Sequence, residues 1–258
     1  MNRRHLSVFL VILSGWPLRY GLAEQGIPKL ALFPTPFEQH AVPFSKALEE
    51  IGTRTQSGYV LFGVEIREKE AREPTVDLEV PEGATLSDAL RAVLRQMPGY
   101  TLEIVSDRMI DIYPQGAKDD PKDPLNLRVQ RFDFVDDHVD TLLNHPQAYI
   151  LELAKRLVER NNGPPYPIEY PSVMAFSALE PPITLHLHDV TVREILNVAS
   201  EATQAFPANL SLLCWSSQFH PDPVWAVGGT YSWRAFTCSP RDWKEHSKPA
   251  AKSAPPRR

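Results

Sequence analysis

Two segments of the chain carry the same pattern of apolar and polar positions. TLSDALRAVL occupies residues 85–94, and TVREILNVAS occupies residues 191–200, beginning 106 residues later. Apolar residues recur in both at the spacing of one helix face. The matched positions include Thr85 with Thr191, Asp88 with Glu194, and Leu90 with Leu196. The pattern predicts the same helix in two halves of one chain.

A second helix is predicted ahead of each of these segments. In residues 42–56 four apolar residues recur at helical spacing, and four more stand 106 residues further along the chain. These are Phe44, Ala47, Leu48 and Ile51, followed by Ile150, Leu153, Ala154 and Leu157. The residues expected to fill the first core are Ala47, Leu48, Ile51, Leu86, Leu90 and Val93, and those of the second are Leu153, Leu157, Val192, Ile195 and Leu196.

Short strands are predicted between and after the helices. VDLEV at 76–80 alternates apolar and acidic residues, and ITLHL at 183–187 alternates in the same way. Two closing strands follow the second helix of each half, within 100–113 and within 210–236. The predicted fold class is therefore α+β, as two tandem copies of a small domain with two helices and a mixed or antiparallel sheet.

A repeat of 106 residues is far longer than a solenoid unit, so it indicates a duplicated domain. The first domain is predicted at 28–114 and the second, more divergent one at 127–238. Residues 115–126, rich in proline and acids, are interpreted as a linker. Each copy is expected to be a separate domain with its own sheet.

The first copy resembles a known family. Residues 37–63 and 76–114 are similar to the short domain found at the N-termini of secretins and TonB-dependent receptors. The residues that fit this outline are Thr55, Gly58, Thr85, Asp88, Ala89 and Leu90. The second copy, 127–238, fits loosely, through Thr191 to Leu196. The resemblance implies an α+β fold in the periplasm that contacts other envelope proteins and has no catalytic activity.

The two ends of the chain differ in composition from the rest. Residues 1–23 have a basic start, a short apolar run and small residues at the end, which is typical of a cleaved signal peptide. A retained anchor is the alternative. Residues 239–258 are basic and rich in proline, which is typical of a disordered tail. The protein is thus expected in the periplasm or secreted, with no transmembrane segment after cleavage.

The charge is unevenly distributed along the chain. The whole chain has a net charge of −5, but residues 24–239 carry about −12 because both ends are basic. An acidic body argues against nucleic-acid binding, which needs a basic surface to displace counterions from phosphate. If charge steers binding, the partners are expected to be basic or neutral.

Two groups of residues suggest other functions. His186 and His188 lie on the same side of a predicted strand, next to Asp189, and a metal-dependent enzyme centred on the two histidines is one alternative. Trp215, Trp225 and Trp233 cluster near the C-terminus, and a binding protein for a small ligand or cell-wall fragment is another. No cofactor and no metal is expected in the preferred interpretation.

The two cysteines of the chain, Cys214 and Cys238, are predicted to form a disulfide. An exported protein folds in an oxidising compartment, and both cysteines fall in the last predicted strands. Their Cβ atoms approach bridging distance if those strands are neighbours.

The preferred function is that of a non-catalytic adaptor that binds other envelope proteins. Small sheets leave edge strands open, and an open edge offers unpaired backbone groups to a partner strand. The candidate contact residues lie in the two closing hairpins: Leu102, Glu103, Ile104, Trp225 and Trp233.

Overall fold

The structure is a computed structural model that describes residues 33, 35–54, 60–67, 73–161, 181–205, 213–220 and 230–237. Within these residues there are six α-helices: α1 Phe44–Arg54, α2 Leu86–Leu94, α3 Val139–Asn144, α4 Pro146–Tyr149, α5 Leu151–Asn161 and α6 Val192–Ala202. There are nine strands: β1 Phe37–Pro43, β2 Leu61–Arg67, β3 Thr75–Val80, β4 Tyr100–Ile104, β5 Met109–Pro114, β6 Arg128–Asp137, β7 Ile183–Thr191, β8 Leu213–His220 and β9 Thr230–Thr237. The α+β class is confirmed. The predicted signal peptide, 1–23, and tail, 239–258, lie outside the described residues.

A five-stranded sheet runs through the middle of the molecule in the order β4-β5-β2-β8-β9. β2 is parallel to β5 on one side and to β8 on the other. Because β2 comes from the first half and β8 from the second, the expectation of separate sheets is wrong. The physical reason is that Leu61–Ile66 are buried at every position, as in a central strand with neighbours on both edges.

Helices from the two halves cover opposite faces of this sheet. α6 lies on the face that carries Glu65, because Nη2 of Arg193 donates to Oε2 of Glu65 at 2.8 Å. α1 lies on the other face, where the ring of Phe44 meets that of Tyr100 edge-on at 5.4 Å between centroids. The sheet is therefore the shared middle layer between two helical layers.

Each half also has a two-stranded antiparallel ribbon, β1 with β3 and β6 with β7. One irregularity interrupts each ribbon three residues before a helix starts. The irregular residue has a left-handed backbone in both, with φ of 51° at Ala41 and 52° at Asp136. Corresponding pairs in the two ribbons are Phe37–Val80 with Phe132–Leu187, and Gln39–Leu78 with Phe134–Leu185.

The helices that follow β3 and β7 begin in the same way. Thr85 and Thr191 are their N-caps, and each forms a capping box with the acid three residues later. Two residues before each cap the backbone is left-handed, with φ of 74° at Gly83 and 55° at Asp189. The predicted start of these two helices is confirmed.

The sequence pattern matches α1 with the helix that lies 106 residues later, but the order of elements in the structure favours a different helix. In the structure α1 directly follows the ribbon strand β1, and the first helix after the ribbon strand β6 is α3, not α5. Val139, Leu142 and Leu143 of α3 are buried, as the apolar residues of α1 are. The chain then passes through α4 before α5. Among the described side chains of α5 only Leu153 is buried, so this helix lies at the border of the core, and Leu157 is half-buried instead of lying in the core as predicted.

The other predicted core residues are confirmed as buried: Ala47, Leu48, Ile51, Leu86, Leu90, Val93, Leu153, Val192, Ile195 and Leu196. They belong to one continuous apolar cluster that includes residues of both halves. The segment interpreted as a linker packs against this cluster. It forms two 3-10 turns, Ala117–Asp119 and Pro124–Asn126, and Leu125 is fully buried.

Candidate functional site

The strand β4 ends the central sheet, and no other described strand pairs with its outer side. Its inner side pairs with β5 through hydrogen bonds at alternate residues. The amide of Val105 donates to the carbonyl of Met109 at 2.9 Å, and the amide of Gln115 donates to the carbonyl of Gly99 at 2.7 Å. These two bonds fix which residues of β4 face β5.

Bonded and non-bonded positions alternate in an antiparallel pair. Gly99 and Val105 are bonded positions, so Thr101 and Glu103 also direct their backbone groups towards β5. Leu102 and Ile104 therefore direct their amide and carbonyl groups away from the sheet. Two of the three residues predicted in this hairpin thus present the backbone groups that an added strand would use.

The third predicted residue of this hairpin, Glu103, is held by its neighbours. Its Oε2 accepts from Nζ of Lys118 and, at 2.8 Å, from the hydroxyl of Tyr113. Partial burial works to raise the pKa of Glu103, but the hydrogen bonds from Lys118 and Tyr113 outweigh it and lower that pKa overall. The carboxylate of Glu103 is thus already hydrogen-bonded to Lys118 and Tyr113 of the same chain.

The strand β9 forms the opposite edge of the central sheet. Trp233 lies on it, half-buried and opposite Ser217 of β8. Trp225 lies outside the described residues. Trp215 is fully buried, and its Nε1 donates to Oδ1 of Asn197 at 2.7 Å. Trp215 is therefore a core residue and does not contribute to a surface for sugars or peptides.

The cysteine of β8 is buried in the shared sheet. The amide of Phe62 donates to the sulfur of Cys214 at 3.1 Å. Cys214 is disulfide-bonded. The other cysteine of the chain, Cys238, follows the last residue of β9 and lies outside the described residues, so its pairing with Cys214 stays a prediction.

The two histidines suggested as a metal site lie on the exposed side of the β6–β7 ribbon. Nδ1 of His186 is 2.7 Å from Oδ1 of Asp133, and the His186 side chain is 58% exposed. His188 stands opposite Arg131 in the ribbon, and Asp189 forms an ion pair with Arg128. No group of three potential metal ligands occurs among the described residues.

A buried polar cluster between the central sheet and α6 was missed by the sequence reasoning. Arg193 and Asn197, one helical turn apart on α6, reach the carboxylates of Glu65 and Asp111, which are fully buried. Nδ2 of Asn197 donates to Oδ2 of Asp111 at 3.1 Å. Burial raises the pKa of Asp111 even though Arg193 and Lys118 act to lower it.

The packed 115–126 segment adds a third carboxyl group to this cluster. Nε of Arg67 is 3.1 Å from Oε1 of Glu65, and its Nη2 is 3.3 Å from Oδ2 of Asp123. The Asp123 side chain is fully buried. Burial and the neighbouring Glu65 raise the pKa of Asp123 to about 7.

The sequence does contain a signal for this cluster. Glu65 and Asp111 each interrupt an apolar strand, and an acid within a buried strand needs a partner. In α6 the polar residues Arg193, Asn197 and Ser200 recur at i, i+4 and i+7, which places them on one helix face. That polar face lies beside the apolar face, so the two acids and the polar stripe could have been matched.

Searches against protein-family models, curated proteins and solved structures find no match to this chain. Within the described part of the chain, no helix is both long enough and apolar enough to cross a membrane.

Proposed function

We propose that this chain is an exported, non-catalytic envelope protein that binds an extended segment of another envelope protein along the outer edge of β4. The observation that carries the proposal is the outward direction of the backbone groups of Leu102 and Ile104. An added strand satisfies such groups with main-chain hydrogen bonds, and the alternate side chains then supply specificity.

The proposal includes a duplication of one α+β unit within the chain. The matching irregularities at Ala41 and Asp136 and the matching capping boxes at Thr85 and Thr191 support it. In this view the counterpart of β4 is β8, the strand that follows α6. β8 pairs with β2 of the other half, so the same type of strand already joins another sheet edge within this molecule.

The similarity of residues 37–114 to the short N-terminal domain of secretins and TonB-dependent receptors also favours an envelope partner. Domains of that family contact other envelope proteins. The acidic body of the chain, about −12 over residues 24–239, favours a partner segment that is basic or neutral. Such steering would weaken as salt is added.

The test removes one outward hydrogen-bond donor without changing the inner face of β4. Ile104→Pro deletes the outward amide, and an edge strand tolerates proline on that side. Ile104→Ala is the matched control, because it truncates the same side chain and keeps the amide. A proline at Glu103 is unsuitable, since that amide points to β5.

Binding is measured by photo-crosslinking in the native envelope. A photoreactive amino acid at Thr101 reports contact at the edge, and one at Val135, which is exposed on β6, reports nonspecific contact. We expect a discrete crosslinked partner from position 101 and not from 135, lost in Ile104→Pro and kept in Ile104→Ala. Equal crosslinking in both variants, with circular dichroism unchanged, would refute strand addition.

A further inference from the structure

Two carboxyl groups meet where the 115–126 segment packs against the central sheet. Glu65 lies on β2, and Asp123 caps the 3-10 turn that follows it, accepting from the amide of Leu125 at 2.8 Å. The two side chains are 1% and 0% exposed. Glu65 belongs to β2 and Asp123 to the 115–126 segment, so an interaction between them holds this segment against the sheet.

The Glu65 and Asp123 carboxyl groups lie beside each other, because the side chain of Arg67 contacts both of them. A carboxylate has no hydrogen-bond donor, so a bond between two carboxyl groups requires that one of them carries a proton. Arg67 holds the pair together because Nε and Nη2 of its guanidinium each contact one of the two carboxyl groups. The raised pKa of Asp123, about 7, agrees with a retained proton.

The charges that surround the pair also favour one bound proton. The cations are Arg67 on β2, Arg193 on α6 and Lys118 in the packed segment, and the acids are Glu65, Asp123, Asp111 on β5 and Glu103 on β4. Tyr113 contributes a neutral hydroxyl. Three positive charges face four acids, so a single bound proton leaves the cluster neutral. Without that proton the cluster has a net negative charge, and three of its acids, Glu65, Asp123 and Asp111, are buried.

We propose that Glu65 and Asp123 share one buried proton, and that this proton stabilises the contact between the 115–126 segment and β2. The packing of the two halves against each other is then sensitive to pH. This proposal does not rest on the binding edge, because it is argued from the contacts of buried side chains, whereas the edge is defined by the outward backbone groups of Leu102 and Ile104. The shared proton acts through the turn at Pro124–Asn126, which also contacts α6 of the second half.

The direct test needs no mutation. Carbon-detected NMR of the aspartate carboxyl carbons in the folded full chain should show one that titrates near pH 7, where an ordinary aspartate titrates near 4. The amide resonance of Leu125 should shift with the same midpoint, because that amide donates to Asp123. If the Asp123 carbon titrates near pH 4 while the protein stays folded, the shared proton is refuted.

Variants test whether the pH dependence of stability comes from Glu65 and Asp123. Because the folded protein binds this proton more tightly than the unfolded chain, stability from this group is present below about pH 4 and is lost as the pH rises to about 7. Asp123→Asn should abolish this loss in urea titrations, and Asp119→Asn, an exposed neighbour on the same segment, should retain it. Glu65→Gln serves as the second variant if Asp123→Asn does not fold. The same pH dependence in wild type and both pair variants would overturn the proposal.

Discussion

Replacing Gly63 with alanine should test the packing of the shared sheet. Gly63 lies on β2 between Asp111 of β5 and Trp215 of β8, and the three residues form one row across the sheet. A Cβ atom at this position would lie 2.6 Å from Cζ2 and 2.7 Å from Cε2 of Trp215, and it would also overlap Oδ1 of Asp111. Carbon atoms do not approach this closely without a shift of one of them.

The cost depends on whether Trp215 can move away. The indole is fully buried, and its Nε1 is held by Asn197 at 2.7 Å. Overpacking a well-filled core typically costs about 1–3 kcal/mol, and breaking the indole hydrogen bond adds about 1 kcal/mol. We therefore expect Gly63→Ala to lower the free energy of unfolding by about 2–4 kcal/mol.

The measurement is urea unfolding followed by far-ultraviolet circular dichroism. A double-mutant cycle with Trp215→Phe identifies the cause, since the smaller ring leaves room for the new methyl group and should reduce the cost of Gly63→Ala by at least about 1 kcal/mol. Gly116→Ala is the control, because its φ of 78° makes alanine unfavourable while no atom lies within 4 Å of the added Cβ. Its cost should be the same in both backgrounds.

A change below about 0.5 kcal/mol for Gly63→Ala would refute this account. An unchanged cost in the Trp215→Phe background would also refute it, because the methyl group would then not be in contact with the indole.

Two other predictions concern the repeated helix start and the cysteines. Thr85→Ala and Thr191→Ala should each lower the free energy of unfolding by about 1 kcal/mol, because each removes one capping box; urea titration checks this, and a loss at one position only would show that the two caps are not equivalent. Cys214 and Cys238 should give no free thiol when protein from its native compartment is titrated under denaturation, and reduction should lower stability by about 3 kcal/mol; two free thiols would exclude the bond.

The features that could be predicted from the sequence are those set by neighbouring residues. The helix at Leu86 and the helix at Val192 depend on a threonine cap, an acid three residues later and apolar residues at helical spacing, all within ten residues. The alternation that predicts β3 is equally local, and it is confirmed by buried Val76, Leu78 and Val80.

The union of the two halves depends on contacts between distant residues and could not be read in this way. A repeat suggests two equal domains, whereas β2 pairs with β8 and is buried on both faces, as a strand with a neighbour at each edge is. The buried run of β2 is the signal for a central strand, but it does not say which strand lies beside it. The buried acids Glu65 and Asp111 are a signal of the same kind. They indicate that polar partners are needed, and the polar stripe of α6 is a match by residue type, but the contacts with Arg193 and Asn197 join residues far apart along the chain.

The parallel pairing of β2 with β8 has a consequence for folding. The contact between Phe62 and Cys214 joins residues 152 positions apart, so the first half cannot complete its sheet until the C-terminal hairpin is available. Contacts of such long range slow folding, because a long loop must close before they stabilise the chain. If the chain crosses a membrane from its N-terminus, the edge of β2 that pairs with β8 stays unpaired until translocation is complete. A strand in that state is prone to pair with another chain, so this protein should depend on a holding chaperone until β8 arrives.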